Sequence, residues 1–305
     1  MIGQTVHEIG WFSFTCQRFR AYCELLKPRL SFLVAFSSIF GYVLGSSGAL
    51  NWASLLMLGL GGFLISGASV TINQILERDL DRLMTRTQDR PLPTRRIKLM
   101  EANWVAAISG LVGVILLIEF TNPLTVLLSL LSLLLYSFVY TPLKRVGPIA
   151  VFAGAIPGAL PPLLGWIAAT GTIGYEALIL FGIQFVWQFP HFWAIAWVSH
   201  EDYQKAGFKL LPSGGKKDFK TAIQIMIYTL LLLPMGLLPA KFGITGINSA
   251  LVVTICGVLF LTQTLLLMRD SLTEGEKARK SALKIMFGSF IYLPVVQIAF
   301  IMDKL

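Results

Sequence analysis

Long apolar runs of nearly equal length, separated by short polar or charged punctuation, make up most of the chain. Runs near the ~20 residues that cross the hydrocarbon of a bilayer lie at about 30–50, 53–72, 102–120, 124–140, 148–170, 176–197, 222–240, 247–268 and 283–302. The pattern predicts nine helices. The second run carries Gly59, Gly61, Gly62, Gly67 and Ala68, small residues that let helix axes approach closely. The expected fold is all-α, a polytopic membrane protein with about nine transmembrane helices around a central cavity. Residues 1–29 form an N-terminal interfacial segment, with Trp11, Phe12 and Phe14 beside Arg18 and Arg20, and 30–303 form the membrane domain. Its acidic loops fall near 73–98 and 200–220.

Composition agrees with that pattern. The 305 residues are 55% hydrophobic and 13% charged with mean hydropathy +0.71, against roughly 25% charged in soluble domains. The net charge of +9 points to topology rather than to nucleic acid. All of the 25 Lys and Arg except Lys241 and Lys304 precede the first run or follow runs two, four, six and eight. The positive-inside rule therefore places the N-terminus and both acidic loops in the cytoplasm, as in a bacterial inner membrane. Cys16, Cys23 and Cys256 are scattered and read as structural. No basic n-region with a small-residue cleavage site is evident.

The densest run of opposite charges begins where the second span should end. Asn73, Glu77 and Asp81 are spaced i, i+4, i+8, so on a helix their oxygens stack on one face while Arg78 and Arg82 lie on the adjoining flank. An amide and two carboxylates are hard ligands suited to Mg²⁺, which commonly shares its coordination with phosphate. The arginines would grip phosphate oxygens. A solvated juxtamembrane helix stitched by acid–base pairs has the same composition.

The fourth span ends in Tyr136 and Tyr140, followed by Lys144 and Arg145, at the same face; membrane-belt aromatics read alike. Pro157, Pro161 and Pro162 with Gly154, Gly158 and Gly165 predict a broken fifth span, tolerated where it lines a cavity. In the sixth, Gln184, Trp187, Gln188, Pro190, His191 and Trp193 are too polar to face lipid and predict an interior site. Just beyond comes a second charged cluster, Glu201, Asp202 and Lys205, on the same side as the first. Ser213 to Asp218 lacks phosphate-loop spacing and context, and 269–284 reads as a solvated basic connector.

Together, Asn73-x-x-x-Glu77-x-x-x-Asp81, the turn Tyr140-Thr141-x-Leu143-Lys144-Arg145 and the second acidic cluster resemble the UbiA-type intramembrane prenyltransferase superfamily. Trp187 to Ala196, followed by Asp202-Tyr203-x-x-Ala206-Gly207-x-x-x-Leu211-Pro212, is similar to its heme-modifying branch. Glu77 stands where the superfamily usually has Asp, and Ala206 where quinone-pathway relatives carry a second Asp.

The resemblance implies Mg²⁺-dependent transfer of a farnesyl group from farnesyl diphosphate to a vinyl group of heme B. It implies Mg²⁺ ligation by Asn73, Glu77, Asp81 and Asp202, and diphosphate contacts from Arg78, Arg82, Arg86, Lys144, Arg145 and Lys205. Tyr136, Tyr140, Trp187 and Trp193 would face developing positive charge, Tyr140 as part of the catalytic set. His191 would ligate heme iron, with Trp187 and Trp193 beside the porphyrin; a His satisfied by a carbonyl or by Gln188 is the alternative. His200 and His7 lie nearer water. A downstream heme-modifying or oxidase-assembly partner is also implied. The rival readings are a prenyltransferase acting on a quinone or other aromatic precursor, and a secondary transporter, whose ionisable residues sit nearer the midplane.

Overall fold

The computed structural model describes residues 17–273 and 275–305. Trp11, Phe12, Phe14, His7 and Cys16, together with Glu274, lie outside the described residues. Helix α1, 17–25, packs Ala21 and Leu25 against Leu92, Ile97 and Ala102. The Leu25 carbonyl at its end accepts from Thr71 Oγ1 at 3.2 Å and Gln74 Nε2 at 2.7 Å. Lys27 then adopts the left-handed region, φ 42, and Pro28 occupies the first turn of α2 (Pro28–Gly45), where no donor is lost.

The spans continue as α3 (Trp52–Leu76), extended by the short α4 (Arg78–Asp81), and then α5 (Leu99–Phe120). Next, α6 (Pro123–Leu134) runs through a π-helical turn (Leu135–Tyr140) into α7 (Thr141–Leu143). The rest are α8 (Ile149–Thr170), α9 (Tyr175–Val198) with the short α10 (His200–Lys205) behind it, α11 (Phe219–Lys241), α12 (Ile247–Asp270) and α13 (Glu276–Met302). Among the described residues nine helices are long and apolar enough to span a membrane, as the hydrophobic pattern predicts. Sequential spans are neighbours, α13 returns to α2, and α2 with α8 and α9 with α13 make cross-contacts. Helices α8 and α9 are the most buried spans. Leu111, Ile115 and Ile118 of α5 and Leu251, Ile255 and Leu259 of α12 are exposed, as lipid-facing residues should be.

The proline-rich fifth span departs from expectation, and the sixth holds its own proline in the same way. Neither is broken: α8 runs unbroken through Pro157, Pro161 and Pro162, and α9 through Pro190. A proline at i deprives the carbonyl at i−4 of its donor. Pro162 thus frees the Gly158 carbonyl, which accepts from Gln184 Nε2 at 2.8 Å. Pro161 frees the Pro157 carbonyl, which takes a long bond from Ser132 Oγ at 3.4 Å. At these two carbonyls neighbouring helices supply what the prolines remove. Gln184 in turn accepts from Gln297 Nε2 at 3.0 Å, which also reaches Ser37 Oγ.

Helices α2 and α8 cross backbone against backbone. A Cβ on Gly41 would stand 1.9 Å from the Pro162 carbonyl oxygen, and one on Gly165 would stand 1.9 Å from that of Ser38. Between α2, α9 and α13, Phe40, Gln184 and Gln297 line a void of about 10 Å³. At the end opposite the acidic loops, Asp303 accepts from Ser249 N at 2.6 Å and Asn248 Nδ2 at 3.1 Å. Lys304 Nζ donates to the Val43 carbonyl at 2.8 Å and to that of Ser46.

Candidate active site

Helical hydrogen bonding persists past the end of α3. Glu77 N donates to the Asn73 carbonyl at 2.9 Å and Asp81 N to the Glu77 carbonyl at 2.7 Å. The spacing i, i+4, i+8 therefore stacks the three side chains as the sequence predicts. All are buried, Asn73 at 2%, Glu77 at 4% and Asp81 at 0% exposure, which rules out the solvated juxtamembrane helix. Carboxylates so placed need partners.

Each finds a cation from another segment. Asp81 receives both of its bonds from Arg90 Nη1, at 2.9 and 2.7 Å. Lys144 Nζ stands 3.0 Å from Glu77 Oε2 and 2.8 Å from Oε1, yet Oε1 has no well-angled donor. A buried carboxylate oxygen held by charge alone, without a hydrogen bond, is a natural cation ligand. Asn73 Nδ2 donates to Thr141 Oγ1 at 3.0 Å, so its oxygen remains the atom available to a metal. These hard donors fit Mg²⁺. Among the described residues no three His, Cys, Asp or Glu side chains converge into a cage of their own, so an ion here must share amide, water or ligand oxygens.

The second acidic cluster meets the first. Asp202 accepts from the backbone N–H groups of Thr85 at 3.1 Å and Arg86 at 3.0 Å. Lys205 Nζ bonds both Asp202 Oδ1 and Thr85 Oγ1 at 3.1 Å, and the Arg86 guanidinium lies 5.6 Å from the Tyr203 ring. Desolvation acts to raise the Asp202 pKa, but the bonds from Arg86, Lys205 and Thr85 outweigh it and hold the carboxyl at about 2. The two loops thus form one surface, as their shared membrane side requires.

From Lys144 the site continues as an aromatic wall. Its ammonium lies 4.7 Å from the Tyr140 ring centroid; Tyr140 meets Tyr136 at 5.2 Å and Phe192 at 6.3 Å, and Phe192 meets His191 at 5.4 Å. Trp187 stacks on His191 at 4.5 Å. The π-helical turn sets this register: the Thr141 N–H bonds to the Tyr136 carbonyl, five residues back, and Pro142 removes the donor that would have bonded the Phe138 carbonyl. Gly154 makes room, since a Cβ there would meet the Tyr140 ring at 2.6 Å.

Of the sequence-predicted set, the structure gathers Asn73, Glu77, Asp81, Lys144 and Tyr140, with Tyr136, Trp187 and His191 along the wall and Arg86, Asp202 and Lys205 at the rim. Arg78 and Arg82 instead engage the exposed Asp79 at 3.0 and 3.2 Å, and Arg145 is exposed. Trp193 packs with Phe189 and Tyr228, and its indole N–H is buried without a partner among the described residues. His191 bonds neither a carbonyl nor Gln188 but Ser289 Oγ, at 2.8 Å.

Three residues escaped the sequence reading. Arg90 is brought back to Asp81 by successive turns between the two, in which Thr87 Oγ1 donates to the Asp81 carbonyl at 2.9 Å and Arg90 N to the Thr87 carbonyl at 3.1 Å. Thr141 orients Asn73. Lys27 is drawn in by α1: loss of water around its ammonium, then repulsion from Arg90 and Lys144, push its pKa down to about 7.

The sequence profile described as the UbiA prenyltransferase family matches residues 34–291. A protein of Cytophaga hutchinsonii named protoheme IX farnesyltransferase is 51% identical over 288 residues, 94% of this chain and 99% of that one. A protein of the same name from Flavobacterium psychrophilum is 44% identical, over 94% of this chain and 95% of its own. Among solved structures, a digeranylgeranylglyceryl phosphate synthase superposes with a TM-score of 0.76 at 23% identity, covering 94% of this chain and 98% of that one. A UbiA homolog from Archaeoglobus fulgidus, bound to DMAPP and Mg²⁺, gives 0.62 at 18% identity, covering 92% and 98%. At these identities the two structures bear on the fold.

Proposed function

The chain belongs to the UbiA prenyltransferase family, and from that membership we propose that it transfers the farnesyl group of farnesyl diphosphate to a vinyl group of heme B, with Mg²⁺ as the metal. The observation that carries this reading is the unbroken wall from Glu77 and Lys144 through Tyr140 and Phe192 to His191. It joins a charged end to an imidazole across aromatic faces, as a diphosphate-bearing lipid and a metalloporphyrin together require.

Charge supports the diphosphate end. Arg90 and Lys144 match the two negative charges of Glu77 and Asp81, and Lys27, with its pKa of about 7, is partly protonated at neutral pH and adds positive charge against the one net negative charge of a Mg²⁺-diphosphate unit. Asn73, Glu77, Asp81 and Asp202 would hold Mg²⁺, which would neutralise the leaving diphosphate. Lys144 and Arg90, displaced from their carboxylates, face its oxygens, with Arg86 and Lys205 at the rim. Cleavage of the farnesyl C1–O bond sends its electron pair to diphosphate and leaves an allylic cation. The rings of Tyr140 and Tyr136 offer that cation their faces, each contributing ~1–2 kcal/mol where water is excluded. The vinyl π electrons form the new C–C bond, and water adds to the resulting carbocation and loses a proton, giving a hydroxyethylfarnesyl product. His191 binds the acceptor's iron, with Trp187 stacked behind the imidazole.

The distribution of Lys and Arg supports N-terminus and acidic loops in the cytoplasm, in a bacterial inner membrane. The deciding experiment is mass spectrometry of products from purified protein with farnesyl diphosphate and heme B, with and without Mg²⁺, beside a parallel reaction offering an aromatic acid. A farnesylated heme formed only with Mg²⁺ is expected. Unmodified heme alongside a prenylated aromatic acid would overturn the acceptor, and full conversion in chelator would remove the metal.

A further inference from the structure

His191 Nδ1 lies 2.8 Å from the hydroxyl of Ser289 on α13. That hydroxyl has a single proton, and the Met286 carbonyl, three residues earlier on the same helix, stands 2.6 Å from Oγ to receive it. Ser289 Oγ then has only lone pairs to offer the imidazole. Nδ1 must carry the proton and donate, and the ring's free lone pair resides on Nε2, the nitrogen left to bind a metal.

We propose that Ser289 is a positioning residue for the acceptor: by accepting the Nδ1–H of His191 it fixes the tautomer and the rotation that make Nε2 the iron-binding atom. This rests on the reading of heme B as acceptor and His191 as its ligand. Ser289 is itself fully buried. Its backbone carbonyl accepts from Trp187 Nε1 at 3.2 Å, and that indole stacks on the imidazole with an interplanar angle of 17°. Phe290, the next residue, meets the ring edge-on at 4.9 Å. A half-turn of the imidazole would lose its acceptor, and a smaller rotation its stack as well. A buried serine in an apolar helix commonly back-bonds to its own carbonyls. That habit accounts for the Met286 contact but not for an imidazole nitrogen on the other side of the oxygen.

The test uses purified full-length protein loaded with ferrous heme B and reads the iron–histidine stretch by resonance Raman together with heme and farnesyl diphosphate affinities. The wild type should show the band and H191A should lose it, with added imidazole restoring it. S289A should shift the band to lower frequency, because an imidazole whose N–H lacks an acceptor is a weaker donor. Heme affinity should fall on the order of 10- to 100-fold, as for other partners of metal-binding histidines, with farnesyl diphosphate affinity unchanged. Ser289→Thr, which keeps the hydroxyl, should restore both. If S289A does not fold, Ser289→Cys, whose sulfur accepts weakly, should give the same shift. A wild-type band and affinity in the serine variants, with the band still lost in H191A, overturns the role of Ser289 and leaves the acceptor reading standing. Heme binding without any band that H191A removes overturns the ligand reading and the proposal with it.

Discussion

At one end of the bundle Glu77 and Asp81 are buried against Lys144 and Arg90; toward the other, α2 and α8 press backbone on backbone at Gly41 and Gly165, and Asp303 and Lys304 close the last turn onto amides and carbonyls. The second arrangement needs no explanation beyond packing, because close approach gains dispersion contacts and the end groups are satisfied locally. The first is costly. Burying two carboxylates and their cations rarely stabilises a protein more than apolar side chains of the same volume would. Charges held at that cost mark the end where a charged ligand is bound, and the glycine crossing marks the frame that holds it.

Four substitutions and one control sharpen the contrast. Asp81→Ala should inflict the largest loss, reducing Mg²⁺-dependent farnesyl transfer by ~10³-fold or more, about 4 kcal/mol of barrier, while the protein still inserts in the membrane. Full turnover in the purified variant would falsify its role. Gly165→Ala should instead remove folded protein: its Cβ meets the Ser38 carbonyl at 1.9 Å, and separating the helices costs ~3 kcal/mol or more. The matched control is Gly62→Ala, where the nearest atom, Ser38 Oγ, is 3.7 Å away and a normal melt is expected. An unaltered melt in both would show the crossing to be looser than described.

Asp202→Asn is intermediate. The carboxylate secures Thr85 and Arg86 through two amides, and losing charge-assisted bonds at ~1.5–3 kcal/mol should raise KM for farnesyl diphosphate by about 10-fold with a smaller change in stability. If KM stays put, the second cluster is merely a loop fastener. The smallest effect belongs to the far end. Hydrogen bonds from Ser249 and Asn248 hold the Asp303 pKa below its usual value. Its contribution is therefore complete above the ordinary carboxylate pKa of about 4 and fades as pH drops through the lower folded value. Asp303→Asn should lower Tm slightly at neutral pH, and the gap from wild type should narrow below about pH 4; a gap independent of pH would mean that charge at Asp303 plays no part.

What could be read without coordinates was whatever depends on residues near one another in sequence. Apolar runs of spanning length gave the nine helices within a few residues at most boundaries, and the period of 3.6 put Asn73, Glu77 and Asp81 on one face. Polarity inside an apolar helix singled out His191 and Trp187. The prolines of α8 misled the reading because local chemistry says only that a donor is lost; Gln184, on the next helix, replaces it. Arg90 on Asp81, Lys144 on Glu77, Thr141 on Asn73 and Ser289 on His191 are matches between distant segments, and no periodicity encodes which partner a buried charge or imidazole will meet. Those pairings follow from helix packing and from the rule that a group taken out of water must find a complement. The sequence by itself determined the spans and the face that carries each acid; the tertiary structure alone decided which cation, which hydroxyl and which ring stand opposite.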